Sequence, residues 1–279
     1  MHKYQREIYQ AKDGKKLLRK SFCAYFDILG FSEKIKKNDI DFFQTYLTTL
    51  ESEIEYLNTH HDLKGEEGLK SFEIKIFTDN FVLGHPWFDE YGESELGNIF
   101  DAIAHIQLTF ALSNIFIRGG IAMSDLYMDE NIVLGPALIE AYELENSVAI
   151  YPRVILSKEV FVVVKKHINY YADHDSSPQS KEYLKDVDGQ VFINYLQAVI
   201  EHNYHSEDKI FELLKKHKEI IISNVTMYKD NYKLYDKFKW IAEYHNFFCA
   251  TSLSEFEKID ISLLKIDDQY FLKAIQKII

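Results

Sequence analysis

The sequence predicts an α+β protein, one sheet with helices mostly on one face and a helical extension behind it. Three observations carry this. Strand-like apolar runs alternate with segments whose apolar residues recur every three or four positions. Two runs, "SFEIKIF" and "NFVLGHPW", flank Thr78-Asp79 as the arms of a hairpin. From about residue 200 onward the pattern is helical throughout.

Residues 1–20 are polar and charged and predict an arm or a frayed helix. "SFCAYFDI" (21–28) is apolar on both faces of a strand, which places it inside a sheet. Gly30 and Ser32 open a helix, 39–58 is a second amphipathic helix, and "HDLKGEEGLK" (61–70) is a loop. After the hairpin, Ile99, Ile103, Ile106 and Phe110 mark one stripe of a helix over 97–114. "IFIRGGIAMSDLY" is the next strand. Its paired Gly119-Gly120 mark close approach by another backbone or a ligand. Gly135-Pro136 opens a helix that buries Ala137, Ala141, Leu144 and Val148. Residues 148–157 predict a strand, and 186–196 another after a turn. The stripes Ile210, Leu214, Ile221 and Leu234, Phe238, Ile241 then predict either a helical hairpin or one long broken helix. The chain divides into an arm (1–20), a core domain (21–199) and a helical extension (200–279) that packs on the core or on a dimer partner.

The chain has 279 residues, 47% of them hydrophobic, enough for a packed core. A formal charge of −12 argues against nonspecific binding of nucleic acid or anionic membranes. Two cysteines, Cys23 and Cys249, both in apolar surroundings, predict free thiols in a reducing compartment. The N-terminal segment has no apolar signal core, and 99–117 is too short and polar to span a membrane, so the expectation is a cytoplasmic protein without membrane insertion.

Two aspartates interrupt apolar strands. Asp27 ends "CAYFDI" just before a glycine turn, and Asp79 sits at the bend of the hairpin. A carboxylate in such a run costs several kcal/mol unless a positive group meets it. Taken singly, each is explained as a cap or turn residue. Taken together, in matching contexts, they suggest one shared partner, and convergent carboxylates can hold two divalent metal ions against a triphosphate. The stretch from Ile28 through Leu29, Gly30 and Phe31 to Ser32 offers amides at a helix start for phosphate oxygens.

These residues also carry a resemblance. "FDILGFS" resembles the D-I-x-G-F-[ST] signature of class III nucleotide cyclases, and "KIFTDNFVL" is similar to their metal-binding hairpin. "IRGGIAMSD" and "GPALIEAYELENSVAI" resemble the family's following strand and helix, in the family's order, across roughly residues 21–196. The resemblance implies a ferredoxin-like, mostly antiparallel cyclase-homology core, with both Asp27 and Asp79 as ligands of two Mg²⁺ or Mn²⁺ ions. It assigns base reading to Lys75. It fails elsewhere: the family's transition-state Asn falls on Ile139, its Arg on Glu143, and its second base-reading residue near Ile132. Neither Ile139 nor Glu143 can donate a hydrogen bond to a polyphosphate.

With "RGGI", "GPA…AYELE" and "YPR", the chain resembles bacterial antiphage pyrimidine cyclases of the Pycsar type. That implies a homodimer with interface sites, conversion of UTP or CTP to a 3′,5′-cyclic nucleotide, and a separate effector protein that responds to it. Physical reasoning nominates Arg118 and Arg153 as replacement cations, with Asn80 reaching ribose or base. A salt bridge of either arginine to Glu140, Glu143 or Glu145 is the structural alternative. The rival function is a catalytically silent cyclase-fold module that binds a nucleotide or a protein. A polymerase-type activity is disfavoured because no "GGDD"-like turn occurs. "HNYH" (202–205) and the His60-His61 pair, assigned to a surface and a loop, support no rival mechanism.

Overall fold

The computed structural model describes residues 8–11, 13–61, 72–88, 92–267 and 275–278. Most of the expected loop at 61–70, and residues 1–7 and 12 of the expected arm, lie outside the described residues.

The sheet is built on β1 (Arg19–Ile28), the strand whose apolar residues alternate to both sides. Phe22, Ala24, Phe26 and Ile28 enter one apolar cluster and Cys23 the other, so both faces of the strand are covered. The short α1 (Phe31–Lys36) and the long α2 (Ile40–His60) follow, the latter capped by Asp39, whose side chain accepts from the Phe42 amide. The hairpin is β2 (Glu73–Phe77) and β3 (Asn80–Pro86), and α3 spans Glu93–Leu112. Then come β4 (Ile117–Met128), the two-residue β5 (Val133–Leu134) and α4 (Pro136–Ser147), which starts at Gly135-Pro136 as the sequence predicts.

Past α4 the sequence is a poorer guide. Of the strand expected over 148–157 only β6 (Val154–Leu156) is extended. The run "KEVFVVVKKHI" is a helix, α5 (Lys158–Ile168), although its valines favour a strand. Ser157 caps it through the Val160 amide, and Val160, Val163 and Val164 fill its inner stripe. Next are the one-turn α6 (Gln179–Glu182), β7 (Tyr183–Lys185) and β8 (Val191–Ile193), so 186–190 is a hairpin turn. The chain then runs through α7 (Gln197–Glu201), α8 (Glu207–Met227), α9 (Tyr232–Ser252), α10 (Ile261–Leu264) and β9 (Gln276–Lys277).

The strands lie in the order β2-β3-β1-β4-β6-β8-β7-β9, with β5 paired to β4. Every pairing among the described residues is antiparallel except β4 with β6. The first four strands have the ferredoxin-like order 2-3-1-4, and the fold is α+β as expected. One qualification concerns the faces. Helices α2, α3, α8 and α9 share the large core with one side of the sheet. Helix α4 lies on the other, where Ala137 and Ala141 pack with Cys23, Val82 and Ala122.

Gly119 and Gly120 explain how α4 gets so close. A Cβ on Gly120 would lie 2.7 Å from the Ala141 carbonyl oxygen and 2.5 Å from the Leu144 Cβ. A Cβ on Gly119, pointing the other way, would lie 2.5 Å from the Tyr25 carbonyl oxygen. Backbone, on both faces, is what the paired glycines admit.

The C-terminal helices form a hairpin, which settles the two alternatives, and they are welded to the core. Phe238, Trp240, Ile241 and Phe248 belong to the same apolar cluster as β1, and β9 extends the sheet beside β7. The His60-His61 pair ends α2 and does not sit in a loop. Both cysteines are buried and free. Among the described residues no helix is long and apolar enough to cross a membrane.

Candidate functional site

Register brings the expected residues together. Asp27 pairs with Asn80 on β3 and with Arg118 on β4. Residues directly opposite in a sheet project to the same side, so these three share the α4 face. Tyr25 pairs with Val82, and Val82 with Lys75, which puts Lys75 on that face as well, two strands from Asp27.

Asp79 occupies the tight turn between β2 and β3, whose Thr78 adopts φ 57°. The turn is lashed to the end of β1: the Ile28 amide donates to the Asp79 carbonyl at 3.2 Å, and the Tyr46 hydroxyl to that of Thr78 at 2.8 Å. The Asp79 carboxylate accepts from the Thr78 hydroxyl at 2.6 Å and the Asn80 amide at 3.1 Å, both on Oδ1. Asn80 itself is held by the Tyr25 hydroxyl at 2.8 Å.

Arg118 sits among acceptors. Its Nε donates to Asp27 Oδ2 at 3.2 Å, its Nη1 to the Ala149 carbonyl at 3.3 Å, and its Nη2 lies 2.7 Å from Glu145 Oε1. Burial pushes the Asp27 carboxyl up; Arg118 opposes the shift and Asp79 adds to it. Glu145 is pushed up in the same way, by burial first, again against Arg118. Lys237 of α9, far along the chain, lies within Coulombic range of this group. Burial and Arg118 push its ammonium down, while Asp27 and Glu145 pull it up.

Among the described residues no cluster of three or more His, Cys, Asp or Glu is arranged to hold a metal ion. The donor set of Asp27 and Asp79 nevertheless suits Mg²⁺ or Mn²⁺, which take one or two carboxylates and complete their shell with water and substrate phosphate. One oxygen of each carboxylate, Oδ1 of Asp27 and Oδ2 of Asp79, carries no hydrogen bond among the described residues.

The remaining expected residues divide. In the stretch 28–32, the Ile28 and Leu29 amides are spent on Asp79 and Phe116 carbonyls, so neither can receive phosphate. The Phe31 ring packs on Phe42 and Tyr46. Gly30 takes φ 76°, a left-handed conformation that favours glycine, and leads with Phe31 and Ser32 into α1. Arg153 was expected at the substrate, and this is corrected: its side chain is fully buried, paired with Asp186 and Asp188. The glutamates of α4 are not its partners. Ile139, 60% exposed, and the exposed Glu143 lie on the solvent side of α4. His202 of "HNYH" bonds Asp101 at 2.8 Å. Sequence reasoning named Glu145 only as a salt-bridge partner and missed Lys237 altogether, because no local pattern ties α9 to β1.

No protein-family model matches the chain, and no curated protein matches it either. Among solved structures the guanylyl cyclase Cya2 is similar to it, with a TM-score of 0.39 and 14% identity over 52% of this chain and 78% of that one. A likeness of that degree carries no argument about activity. Fold and site together define an α+β protein with Asp27 at the end of β1, on the sheet face that α4 packs against, and Asp79 in the β2–β3 turn beside it.

Proposed function

We propose that the protein is a two-metal nucleotide cyclase that forms a 3′,5′-cyclic nucleotide and pyrophosphate. The observation that carries it is the meeting of Asp27, at the end of β1, with Asp79, in the turn bonded to Ile28. Divalent ions held by Asp27 and Asp79 would lower the pKa of the ribose 3′-hydroxyl and neutralise the triphosphate. The hydroxyl oxygen attacks the α-phosphorus, the bond to the bridging oxygen of the β-phosphate breaks, and pyrophosphate leaves with the proton released to solvent. Arg118, fixed by Glu145 and Ala149, holds Asp27 in place and adds positive charge beside the reacting phosphate. Lys75 and Asn80, on the same face, are the base- and ribose-contacting candidates, and the Gly30 to Ser32 amides lie beside the phosphates.

The resemblance of the sequence motifs supports UTP or CTP as substrate, an antiphage signalling role and a separate effector protein. It also supports a homodimer, for which exposed apolar residues around α4 (Ile132, Leu134, Ile139 and Tyr142) supply the surface. Ile139→Asp is expected to shift the sedimentation coefficient from dimer to monomer; an unchanged value rejects that surface.

The purified protein is incubated with Mn²⁺ and each ribonucleoside triphosphate in turn, and products are identified by mass, with Asp79→Ala alongside. Turnover of UTP or CTP, abolished in a folded Asp79→Ala, is the expected result; full activity of that variant refutes the metal assignment. A purine product would keep the chemistry and remove the pyrimidine assignment. The second reading is a silent nucleotide-binding module, favoured by the ion pair that already neutralises Asp27. It predicts nucleotide binding by calorimetry with no product.

A further inference from the structure

The charges around Asp27 do not balance in favour of a polyphosphate. Arg118 donates to Asp27 and the Ala149 carbonyl and is ion-paired with Glu145, so its charge is already shared among protein groups. Arg153 is sealed in the core with Asp186 and Asp188. The outer positions of α4 carry Ile139 and Glu143 and supply no cation. One further cation reaches the cluster. Lys237 lies within Coulombic reach of Asp27, Glu145 and Arg118, and among the described residues it has neither an ion pair within 4.0 Å nor a hydrogen bond.

Its position is fixed by its neighbours on α9. Phe238 meets Phe116 edge to face at 5.1 Å, and the Phe116 carbonyl accepts the Leu29 amide of the turn that follows Asp27. One helical turn on from Asp236, Trp240 stacks on Tyr151 at 5.6 Å, in the loop that runs from Ala149 past Arg118. Tyr228, at the end of α8, stacks on Phe238 at 5.4 Å. The helical hairpin is therefore clamped over the 149–151 loop and the Asp27 turn, and Lys237 is carried on a rigid element rather than on a loop. A lysine ammonium on a four-carbon stem is a mobile point charge, suited to a phosphate that arrives and leaves.

We propose that Lys237 is a substrate-binding residue of this site, its ammonium taking the β- and γ-phosphate oxygens of the nucleotide. The C-terminal hairpin thereby supplies the cation that α4 lacks. This rests on the nucleotide cyclase reading and deepens it by naming the phosphate ligand.

The test uses the full chain in Mg²⁺ buffer, with two readouts. Binding of inorganic tripolyphosphate is measured by calorimetry for wild type, Lys237→Met and Lys237→Arg, and turnover of the active nucleotide is measured for the same proteins. Methionine keeps the stem and removes the charge, so it is expected to weaken tripolyphosphate binding at least about tenfold and to raise KM, with arginine restoring most of both. Thermal melting separates a mere counter-ion role: a Lys237→Met protein that melts lower but binds tripolyphosphate as tightly as wild type overturns the proposal. So does undiminished turnover with unchanged KM. If no nucleotide is turned over by wild type, the cyclase reading fails, and the calorimetry still decides whether Lys237 holds a polyphosphate.

Discussion

Two arginines side by side, one in β4 and one just before β6, have opposite environments. Arg153, just before β6, is fully buried, meets both Asp186 and Asp188, and shares Asp186 with the Trp240 indole, which donates at 2.7 Å. Aromatic faces of Tyr151, Phe192 and Trp240 surround its guanidinium. Arg118 on β4 keeps a side chain 25% exposed and holds Asp27, itself 23% exposed, at the long distance of 3.2 Å. The first cluster is closed around its guanidinium: Arg153 is fully buried between two carboxylates and three aromatic rings, and of the carboxylates only Asp188 reaches the surface. The second is open at one side, with Asp79, Lys237 and free carboxylate oxygens around it. The sequence presents both as an arginine in an apolar strand; burial and the number of partners separate a structural ion pair from a functional one.

The sharpest way to break that comparison is to remove the charge from each in turn. Arg153→Met leaves the buried Asp186 without its cation, and breaking one side of a buried pair costs about 3–5 kcal/mol. A large fall in urea midpoint, or no soluble protein, is expected. Arg118→Met leaves Asp27 to water on the open side but strands the buried Glu145, and is expected to cost about 1–3 kcal/mol, less than Arg153→Met, while turnover is lost. Equal destabilisation by the two variants, in matched urea titrations, would erase the distinction.

What the sequence displayed and what it hid follow from the same physics. Strand β1, the hairpin at Thr78-Asp79, the glycine pair and the opening of α4 are local patterns, set by side-chain period and turn chemistry. The convergence of Asp27 and Asp79 was legible for that reason, since both lie at strand ends that one hairpin brings side by side. The partners of Arg153 were not legible, because Asp186 and Asp188 arrive through the β7–β8 turn, whose pairing with β6 is a matter of distant register. Lys237 was hidden in the same way: its helix shows only an apolar stripe, and which polar flank meets the site depends on how Phe238 docks on Phe116. Helix α5 was hidden because the burial of Val160, Val163 and Val164 on a helical inner face overrides the strand preference of its valines.

A smaller effect sharpens the comparison from a third direction, a buried carboxyl with no cation. Glu182, at the end of α6, is 7% exposed, and its Oε2 has no hydrogen-bond partner. Burial, then Glu201 and Asp101, pushes its carboxyl up to about 8. The folded protein therefore keeps a proton that the unfolded chain releases from its ordinary value of 4.5 upward. The contribution of Glu182 to stability is complete below pH 4.5 and is lost progressively as pH rises toward about 8, by at most about 1.4 kcal/mol per pH unit. The buried His217 and His245, both pushed down by burial, act in the opposite sense at acid pH, so the measurement is the difference between wild type and Glu182→Gln. Glutamine keeps the shape and removes the proton linkage. The variant should melt close to wild type at pH 5 and above it at pH 8. Parallel pH curves for the two would mean that Glu182 ionises in the fold at little cost, and that closure around a cation is not what separates the Arg153 cluster from its surroundings.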